Sequence, residues 1–298
     1  MKIGLIGAGK MGIGLAKNMI RHGHDVVVLT RAARRAEELQ LEGLEAVTNT
    51  GAFVQQLDPS KIIWMMVPAG DAVDDTIDLL LPHLKGGDVV IDGGNSHFED
   101  SVSRSEFLAS RGIDYLDVGT SGGTEGALNG ACLMIGGSRE AYVRLEPLFS
   151  DLAVEGGYGY FGRSGAGHYV KMVHNGIEYA MMQAISEGFE LLKKSEYGFD
   201  LQKIAKVYDQ GSIIEGFLMG TTARALKSTE EIESLLPVVK SSGEGLWTVE
   251  EALRLKVPVE TIALSLFKRY ATESQGFGAK LLSRMRYEFG GHEARKEE

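Results

Sequence analysis

The sequence contains very little cysteine and no long apolar run. Cys132 is the single cysteine among 298 residues, which excludes an internal disulfide and fits a reducing compartment. No stretch reaches the roughly eighteen consecutive apolar residues typical of a membrane-spanning helix. The first residues, MKIGLIG, already have a strand-like pattern and leave no room for a signal peptide. We therefore expect a cytoplasmic protein that does not insert into a membrane.

Positive charge is also scarce. The chain has 31 lysine and arginine residues against 41 aspartate and glutamate residues, a formal net charge of −10. Nucleic-acid binding needs a basic surface, so this balance argues against DNA or RNA as a partner. An anionic ligand would have to be held by a local cluster of cations. The histidine and acidic residues do not show the spacing of zinc ligands, so no metal is expected.

Glycine, in contrast, is abundant, with 39 residues, many of them at the ends of apolar runs. In the first half, short apolar runs alternate with helix-period segments, which predicts a mostly parallel, doubly wound sheet in an α/β fold. The predicted strands are Lys2–Ile6, Asp25–Leu29, Lys61–Val67, Asp88–Asp92, Asp114–Val118 and Cys132–Ile135, with a further candidate at Gly159–Phe161. The predicted helices between them include Met11–Arg21, Arg31–Gln40 and Ser138–Phe149.

The segment KIGLIGAGKMG joins the first predicted strand to the first predicted helix. It places Gly7, Gly9 and Gly12 in the pattern G-x-G-x-x-G. In dinucleotide-binding domains the first glycine permits the turn, the second lets the backbone approach the pyrophosphate, and the third allows close packing. The alternative is a glycine-rich turn in some other α/β protein. The context favours a Rossmann domain in which this loop, with Lys10 and Met11, binds the cofactor at a helix N-terminus.

The end of the second predicted strand indicates which nucleotide is bound. In VVVLTRAARR, Thr30 stands where an acidic residue would bind the ribose hydroxyl of NAD, and Arg31 follows it. A guanidinium group at Arg31 can pair with the 2′-phosphate of NADP and stack on adenine. Arg34 and Arg35 are adequately explained as the solvated start of a helix. The sequence therefore favours NADP, with NAD as the alternative.

The pattern changes near Ser164. From there on it is helical only, over Gly165–Lys194, Leu201–Gln210, Ile213–Leu226 and further segments up to Phe289. We therefore predict a dinucleotide-binding domain over residues 1–164. An all-helical domain for substrate binding and oligomerisation, beginning with a long central helix, is predicted over residues 165–298.

The long predicted helix carries an unusual polar stripe. Lys171, His174, Asn175 and Glu178 recur at i, i+3, i+4 and i+7 and therefore share one face. One interpretation is a solvent-facing edge of an amphipathic helix. Against it, surface ion pairs normally join residues three or four apart, and the flanking residues are apolar almost all round. We therefore interpret the stripe as a functional line.

Several segments together resemble the β-hydroxyacid dehydrogenase superfamily, and most closely its 6-phosphogluconate dehydrogenase branch. They are GLIGAGKMG, IDGGNS, GTSGGTEGALNG, GAGHYVKMVHNGIEYAMMQ and the terminal RYEFGGH. Simpler hydroxyacid dehydrogenases usually have a second asparagine in place of His174 and lack Glu178. The resemblance covers almost the whole chain, in the short single-repeat form. It implies NADP-dependent oxidative decarboxylation of 6-phosphogluconate to ribulose 5-phosphate, as in the pentose phosphate pathway and gluconate utilisation.

The resemblance also implies roles for the stripe. Lys171, with a pKa lowered by desolvation, would take the hydroxyl proton and then polarise the new ketone. Glu178 would protonate the enediol carbon, and His174 and Asn175 would bind the substrate. The implied substrate-binding residues are Asn95, Ser121, Gly122, Gly123, His174, Asn175, Tyr179, Arg286 and His292. Beyond the glycine loop, the implied cofactor-binding residues are Thr30, Arg31, Val67 and Asn95.

In the family, residues matching Arg286 and His292 bind the substrate phosphate of a neighbouring subunit, so a homodimer or homotetramer is expected. Glu215 departs from the pattern, since the family generally has a phosphate-binding arginine there. The segment SSGEGLWT follows the short form and lacks a lysine of the long form. A decarboxylating enzyme for a related sugar acid is therefore one alternative. A non-decarboxylating enzyme of the 3-hydroxyisobutyrate type and a non-catalytic nucleotide sensor are the others.

Overall fold

The computed structural model describes residues 1–274, 276–278, 281 and 285. The chain divides into two compact units between His174 and Asn175. This division falls inside one continuous helix, Ala166–Lys194, here called α8. The domain boundary at residue 164 stays a prediction.

The first unit is built on an eight-stranded sheet with the order β3-β2-β1-β4-β5-β6-β7-β8. Its strands are β1 (Lys2–Ile6), β2 (Asp25–Leu29), β3 (Glu45–Val47), β4 (Ile62–Met65), β5 (Val89–Asp92), β6 (Asp114–Ser121), β7 (Ala131–Gly137) and β8 (Ala153–Gly162). Neighbouring strands from β3 to β6 are parallel. Strand β7 is antiparallel to β6 and parallel to β8. The mostly parallel sheet is confirmed, and β3 is an edge strand that the sequence did not predict.

Helices follow most of the strands. They are α1 (Lys10–Arg21), α2 (Ala33–Leu41), α3 (Thr50–Gln55), α4 (Asp71–Leu80), α5 (Phe98–Ala109), α6 (Gly123–Asn129), α7 (Arg139–Leu152) and the start of α8. A short 3-10 turn, Leu81–His83, follows α4. This arrangement is the doubly wound fold expected from the alternating pattern.

Apolar side chains cover both faces of the sheet. On β4, Trp64 packs in one buried cluster together with Leu15 of α1. Its neighbours Ile63 and Met65 pack in the opposite cluster together with Phe53 of α3. Successive side chains of a strand point to opposite faces, so each short apolar run fills two cores. Because β1, β2, β4 and β5 are parallel, their carboxyl ends lie at the same edge of the sheet.

Over residues 175–274 the second unit contains the rest of α8 and five further helices. These are α9 (Leu201–Tyr208), α10 (Phe217–Ala225), α11 (Thr229–Glu233), α12 (Glu244–Leu255) and α13 (Glu260–Glu273). Phe189, Ala205, Met219 and Ala223 form its buried cluster. No described residue from 175 onward lies in a strand, as the fold class predicts. All helices in the described part of the chain are too short or too polar to cross a membrane.

The predicted helix Ile213–Leu226 begins only at Phe217. Gly216 has a positive φ of 142° and stands as its N-cap, which ends the preceding turn. In that turn the carboxylate of Glu215 accepts a hydrogen bond from the backbone N–H of Gly211. Glu215 is exposed, and this hydrogen bond gives it a local structural role in the turn.

Candidate active site

The glycine-rich turn between β1 and α1 has the geometry of a phosphate-binding loop. Gly7 has a φ of +108°, and a methyl group there would lie 2.3 Å from the carbonyl oxygen of Met66. A methyl group at Gly12 would lie 2.0 Å from the carbonyl oxygen of Gly7. Space is open around Gly9, which has no atom within 4 Å of the position of a Cβ. The backbone at Gly9 can therefore be approached closely by a ligand.

Helix α1 begins beside this open space without a competing group. Its N-cap, Gly9, makes no side-chain capping bond, and its first turn contains no acidic residue. The free N–H groups and the positive end of the helix dipole therefore suit a pyrophosphate. A cavity of about 730 Å³ lies alongside, and its lining includes the cations Lys10, Lys17 and Arg35. The residues present fit a dinucleotide cofactor.

Two of the three arginines after β2 form ion pairs with Glu38. Glu38 accepts hydrogen bonds from Arg34 at 3.0 Å and from Arg35 at 3.1 Å. These two guanidinium groups lower the pKa of the Glu38 carboxyl. Thr30 and the exposed Arg31 lie immediately after β2, before α2 begins. Arg31 is thus placed at the strand end where a 2′-phosphate would be read.

The loop after β5 is fixed from beneath by a buried carboxylate. Asp92 is fully buried, and its Oδ1 accepts a hydrogen bond from the N–H of Gly94 at 3.1 Å. Its Oδ2 accepts from the Ser96 hydroxyl at 2.6 Å and from the Tyr115 hydroxyl at 3.0 Å. Asn95, between these anchored residues, is exposed. The loop is therefore preorganised with Asn95 accessible to ligand.

A buried arginine supports the same loop. The Arg104 guanidinium lies 3.8 Å from the Asp92 carboxylate and donates to both oxygens of Asp74, at 2.7 and 2.8 Å. Arg104 lowers the pKa of the Asp74 carboxyl through these bonds. Burial, and next the nearby Asp92 charge, raise the pKa of the Tyr115 hydroxyl. Tyr115 therefore stays protonated and serves as a donor to Asp92.

Lys171 lies on α8 against strand β6. Lys171 is only 6% exposed. Helix and strand approach closely because Gly119 has no side chain: a methyl group there would lie 2.4 Å from Lys171 Cβ. The buried carboxylate of Asp117 accepts hydrogen bonds from the N–H groups of Gly165 and His168, both at 2.9 Å. The start of α8, and with it Lys171, is therefore held firmly on β6.

The carboxyl end of β6 contacts α8 at His174, about one helical turn after Lys171. The Ser121 hydroxyl lies 3.1 Å from Nε2 of His174. Gly122 and Gly123 follow Ser121 in left-handed backbone conformations, and Gly123 starts α6. The structure thus brings together Ser121 and His174, two of the residues expected to bind substrate.

The remaining stripe residues belong to the second unit. Asn175 is 7% exposed, and its Nδ2 donates to Oε1 of Glu244 at 3.0 Å. Tyr179 is 4% exposed, and its hydroxyl accepts from the N–H of Ser242 at 3.2 Å. Glu178 is half-buried. Burial of Lys171 and Asn175 contradicts the solvent-facing interpretation of the stripe, while the assigned roles stay predictions.

Arg269 is a candidate site residue that the sequence did not reveal. Its guanidinium lies 3.4 Å from the centre of the Tyr179 ring, in cation–π contact. Its Nη1 donates to the carbonyl oxygen of Lys240 at 3.3 Å. The contact joins α8 to α13, so no local sequence pattern signals it. Arg286 and His292 lie outside the described residues.

A parallel sheet with a glycine-rich β1–α1 turn and an open helix N-terminus is the arrangement of nicotinamide-dinucleotide-binding domains. Residues 2–162 match the family model described as the NAD binding domain of 6-phosphogluconate dehydrogenase. Residues 167–293 match the model of the 6-phosphogluconate dehydrogenase C-terminal domain. The chain belongs to the 6-phosphogluconate dehydrogenase family.

Relatives of similar length support this assignment. A Bacillus subtilis (strain 168) protein provisionally named a 6-phosphogluconate dehydrogenase, YqeC, is 47% identical over 297 residues, which cover 99% of this chain and 100% of that protein. The NAD(+)-dependent, decarboxylating 6-phosphogluconate dehydrogenase of Haloferax volcanii is 45% identical over 304 residues, covering 100% of both chains.

Solved structures of related dehydrogenases have the same fold as this chain. The Plasmodium falciparum 6-phosphogluconate dehydrogenase, solved as apo form and with NADP+ or 6-phosphogluconate, matches with a TM-score of 0.84 at 29% identity. That match covers 100% of this chain and 66% of the longer one. A 3-hydroxyisobutyrate dehydrogenase from Salmonella typhimurium matches with a TM-score of 0.75 at 19% identity over 91% of this chain and 93% of that one, which shows a common fold.

Proposed function

We propose that the protein catalyses the oxidative decarboxylation of 6-phosphogluconate to ribulose 5-phosphate and CO₂. The observation that carries this proposal is helix α8, on which Lys171 is buried beside β6 and Glu178 lies two turns further on. A rise of about 1.5 Å per residue separates the two by about 10 Å along the axis. The two relatives of similar length that are named as 6-phosphogluconate dehydrogenases support this substrate.

Lys171 is the proposed base of the first step. Its neutral amine takes the proton of the substrate hydroxyl β to the carboxylate while the nicotinamide, when bound, accepts the hydride. Burial favours the neutral form of an amine, since desolvation penalises its charge. The ammonium formed then donates a hydrogen bond to the ketone oxygen and stabilises negative charge there.

Glu178 is the proposed acid of the last step. As the bond between the carboxylate and the α carbon breaks, CO₂ leaves and its electron pair passes into an enediolate, whose oxygen the Lys171 ammonium stabilises. Glu178 then gives a proton to the α carbon and completes ribulose 5-phosphate. The pair of Ser121 and His174 is suited to hydrogen-bond the substrate before either step.

The terminal phosphate has a candidate anchor in the second unit. Arg269 is held over the Tyr179 ring, and the Tyr179 hydroxyl is held by Ser242 at the start of α12. A guanidinium matches phosphate geometry. Gly243, the N-cap of α12, makes no side-chain capping bond, but the first turn of this helix contains the acidic Glu244. The local positive charge that a chain of net charge −10 needs for an anionic substrate is therefore assigned to Arg269.

NADP is the proposed cofactor. Thr30 and Arg31 follow β2, where an NAD-binding domain would have an acidic residue. Arg34 and Arg35 form salt bridges with Glu38, which leaves Arg31 as the candidate for binding the 2′-phosphate. The relative from Haloferax volcanii is named as NAD(+)-dependent, whereas the Plasmodium falciparum structure contains NADP+. The preference of this chain therefore rests on Arg31.

We also propose a cytoplasmic homo-oligomer with a domain division near residue 164. Large apolar side chains on helices of the second unit are exposed, among them Leu191, Leu253 and Phe267, which supports burial against another copy. Sedimentation of the purified protein tests this assembly, since a monomer at assay concentration would contradict it.

The experiment is a panel of phosphorylated and unphosphorylated aldonic acids and 3-hydroxyisobutyrate, each with NADP and with NAD. Reduced cofactor and CO₂ are measured together. Equal amounts of both from 6-phosphogluconate support the proposal. Reduced cofactor without CO₂ would favour the 3-hydroxyisobutyrate type, and cofactor binding without turnover would favour a nucleotide sensor.

A further inference from the structure

Glu244 is a buried carboxylate at the start of α12. It is 2% exposed, and its Oε1 accepts the hydrogen bond from Asn175. Its Oε2 is also buried and has no hydrogen-bond partner among the described residues. An unpaired buried carboxylate oxygen opposes folding. Such local costs persist in proteins mainly where function requires them.

The contact with Glu244 determines how the Asn175 amide is turned. Nδ2 of Asn175 donates to Oε1 of Glu244, so the NH₂ group of the amide faces the carboxyl group. The amide carbonyl oxygen then points away from Glu244. Both residues are buried, and a hydrogen bond is stronger in the protein interior than in water, so the bond holds this orientation. Loss of Glu244 removes this acceptor from the Asn175 amide.

The first turn of α12 is itself seated rigidly on α8. A methyl group at Gly245 would lie 2.5 Å from Cε2 of Tyr179, so the two helices touch there without an intervening side chain. The backbone N–H of Ser242 donates a hydrogen bond to the Tyr179 hydroxyl at 3.2 Å, and the hydroxyl groups of the two residues lie 3.3 Å apart. The Glu244 carboxylate is therefore fixed relative to Asn175 and Tyr179 of α8.

We propose that Glu244 is a positioning residue for catalysis, which keeps the Asn175 amide in the one orientation that serves the reacting substrate. This proposal rests on the proposed function. Misorientation of a group that aligns the substrate slows the chemical step more than it weakens binding. Loss of Glu244 should therefore lower kcat and leave the affinity for the cofactor unchanged.

The test compares Glu244→Ala, Glu244→Gln and the control Glu251→Gln in the full-length protein. Glu251 is also buried on α12 but pairs with Arg254. With 6-phosphogluconate and NADP, we expect kcat to fall about tenfold or more in Glu244→Ala, the loss expected for one misplaced polar contact. Glu244→Gln retains an acceptor oxygen and should recover part of the rate. Glu251→Gln should have wild-type kcat.

A substrate deuterated at the oxidised carbon distinguishes a positioning role from a merely structural one. In Glu244→Ala the isotope effect on kcat should be at least as large as in the wild type, because hydride transfer has become slower. Wild-type kcat in Glu244→Ala, or a loss matched by the fraction of unfolded protein, would overturn the inference while leaving the proposed function intact.

A wild-type enzyme inactive on 6-phosphogluconate would instead overturn the proposed function. The coupling of Glu244 to Asn175 is then read from thermal unfolding of Asn175→Ala, Glu244→Ala and the double variant. Additive shifts in Tm would show that Glu244 does not hold Asn175 and would overturn this inference as well. Non-additive shifts would support it.

Discussion

Replacement of Gly119 by alanine should displace the proposed catalytic lysine. The new methyl group would lie 2.4 Å from Lys171 Cβ and 2.8 Å from its Cγ. Carbon atoms in contact are normally about 3.5–4.0 Å apart, so strand and helix must separate by about 1 Å. Overpacking of this kind typically costs about 1–3 kcal/mol of the free energy of unfolding. A misplacement of about 1 Å can cost about 100-fold in rate, or about 2.7 kcal/mol in the activation barrier.

The assay measures kcat for reduced-cofactor formation at saturating 6-phosphogluconate, with thermal unfolding and the Kd for NADP measured in parallel. Gly188→Ala is the matched control, because it lies on the same helix with no atom within 4 Å of the added methyl group. It should stabilise α8 by up to about 1 kcal/mol and leave kcat unchanged. Gly119→Ala with wild-type kcat would refute the placement of Lys171 in the active site.

Three further predictions concern single side chains. Glu178→Gln should lower kcat by about 100-fold or more, the usual contribution of general acid catalysis, with the Kd for NADP unchanged; unaltered turnover would count against its role as the acid. Arg31→Ala should raise the KM for NADP far more than that for NAD, whereas equal changes would mean that the 2′-phosphate is read elsewhere. Arg104 lowers the pKa of Asp74, so this pair stabilises the fold above the ordinary aspartate range and loses that effect as the pH falls through the lowered pKa. Asp74→Asn should therefore flatten the acid side of a plot of unfolding free energy against pH, and an unchanged acid side would contradict this ion pair.

Much of the fold could be predicted because its signals are local. Strands such as β1 and β2 are buried on both faces and appear as short apolar runs, with the same bounds as predicted. Strand β3 has only three residues, Glu45–Val47, which is too short for a periodic pattern. The late start of α10 depends on Gly216 and on the bond from Gly211 to Glu215, which no helical period reveals.

The candidate site shows the same division between local and tertiary information. The spacing of Lys171 and Glu178 on one helix was readable from the sequence, since helical geometry alone sets it. The contacts of Arg269 with Tyr179 and of Glu244 with Asn175 join helices that are far apart in the chain. Neither Arg269 nor Glu244 has a distinctive neighbourhood in the sequence. Their contacts with α8 depend on the tertiary fold and cannot be predicted from a local pattern.

Replacement of Lys171 by methionine tests the proposed mechanism at its first step. Methionine keeps an unbranched, buried side chain and removes the amine. Hydride transfer from 6-phosphogluconate to NADP is followed in a single turnover by rapid mixing, together with the Kd for NADP. We predict that hydride transfer is lost while NADP binding remains. Transfer at a rate close to that of the wild type would contradict the assignment of Lys171 as the base.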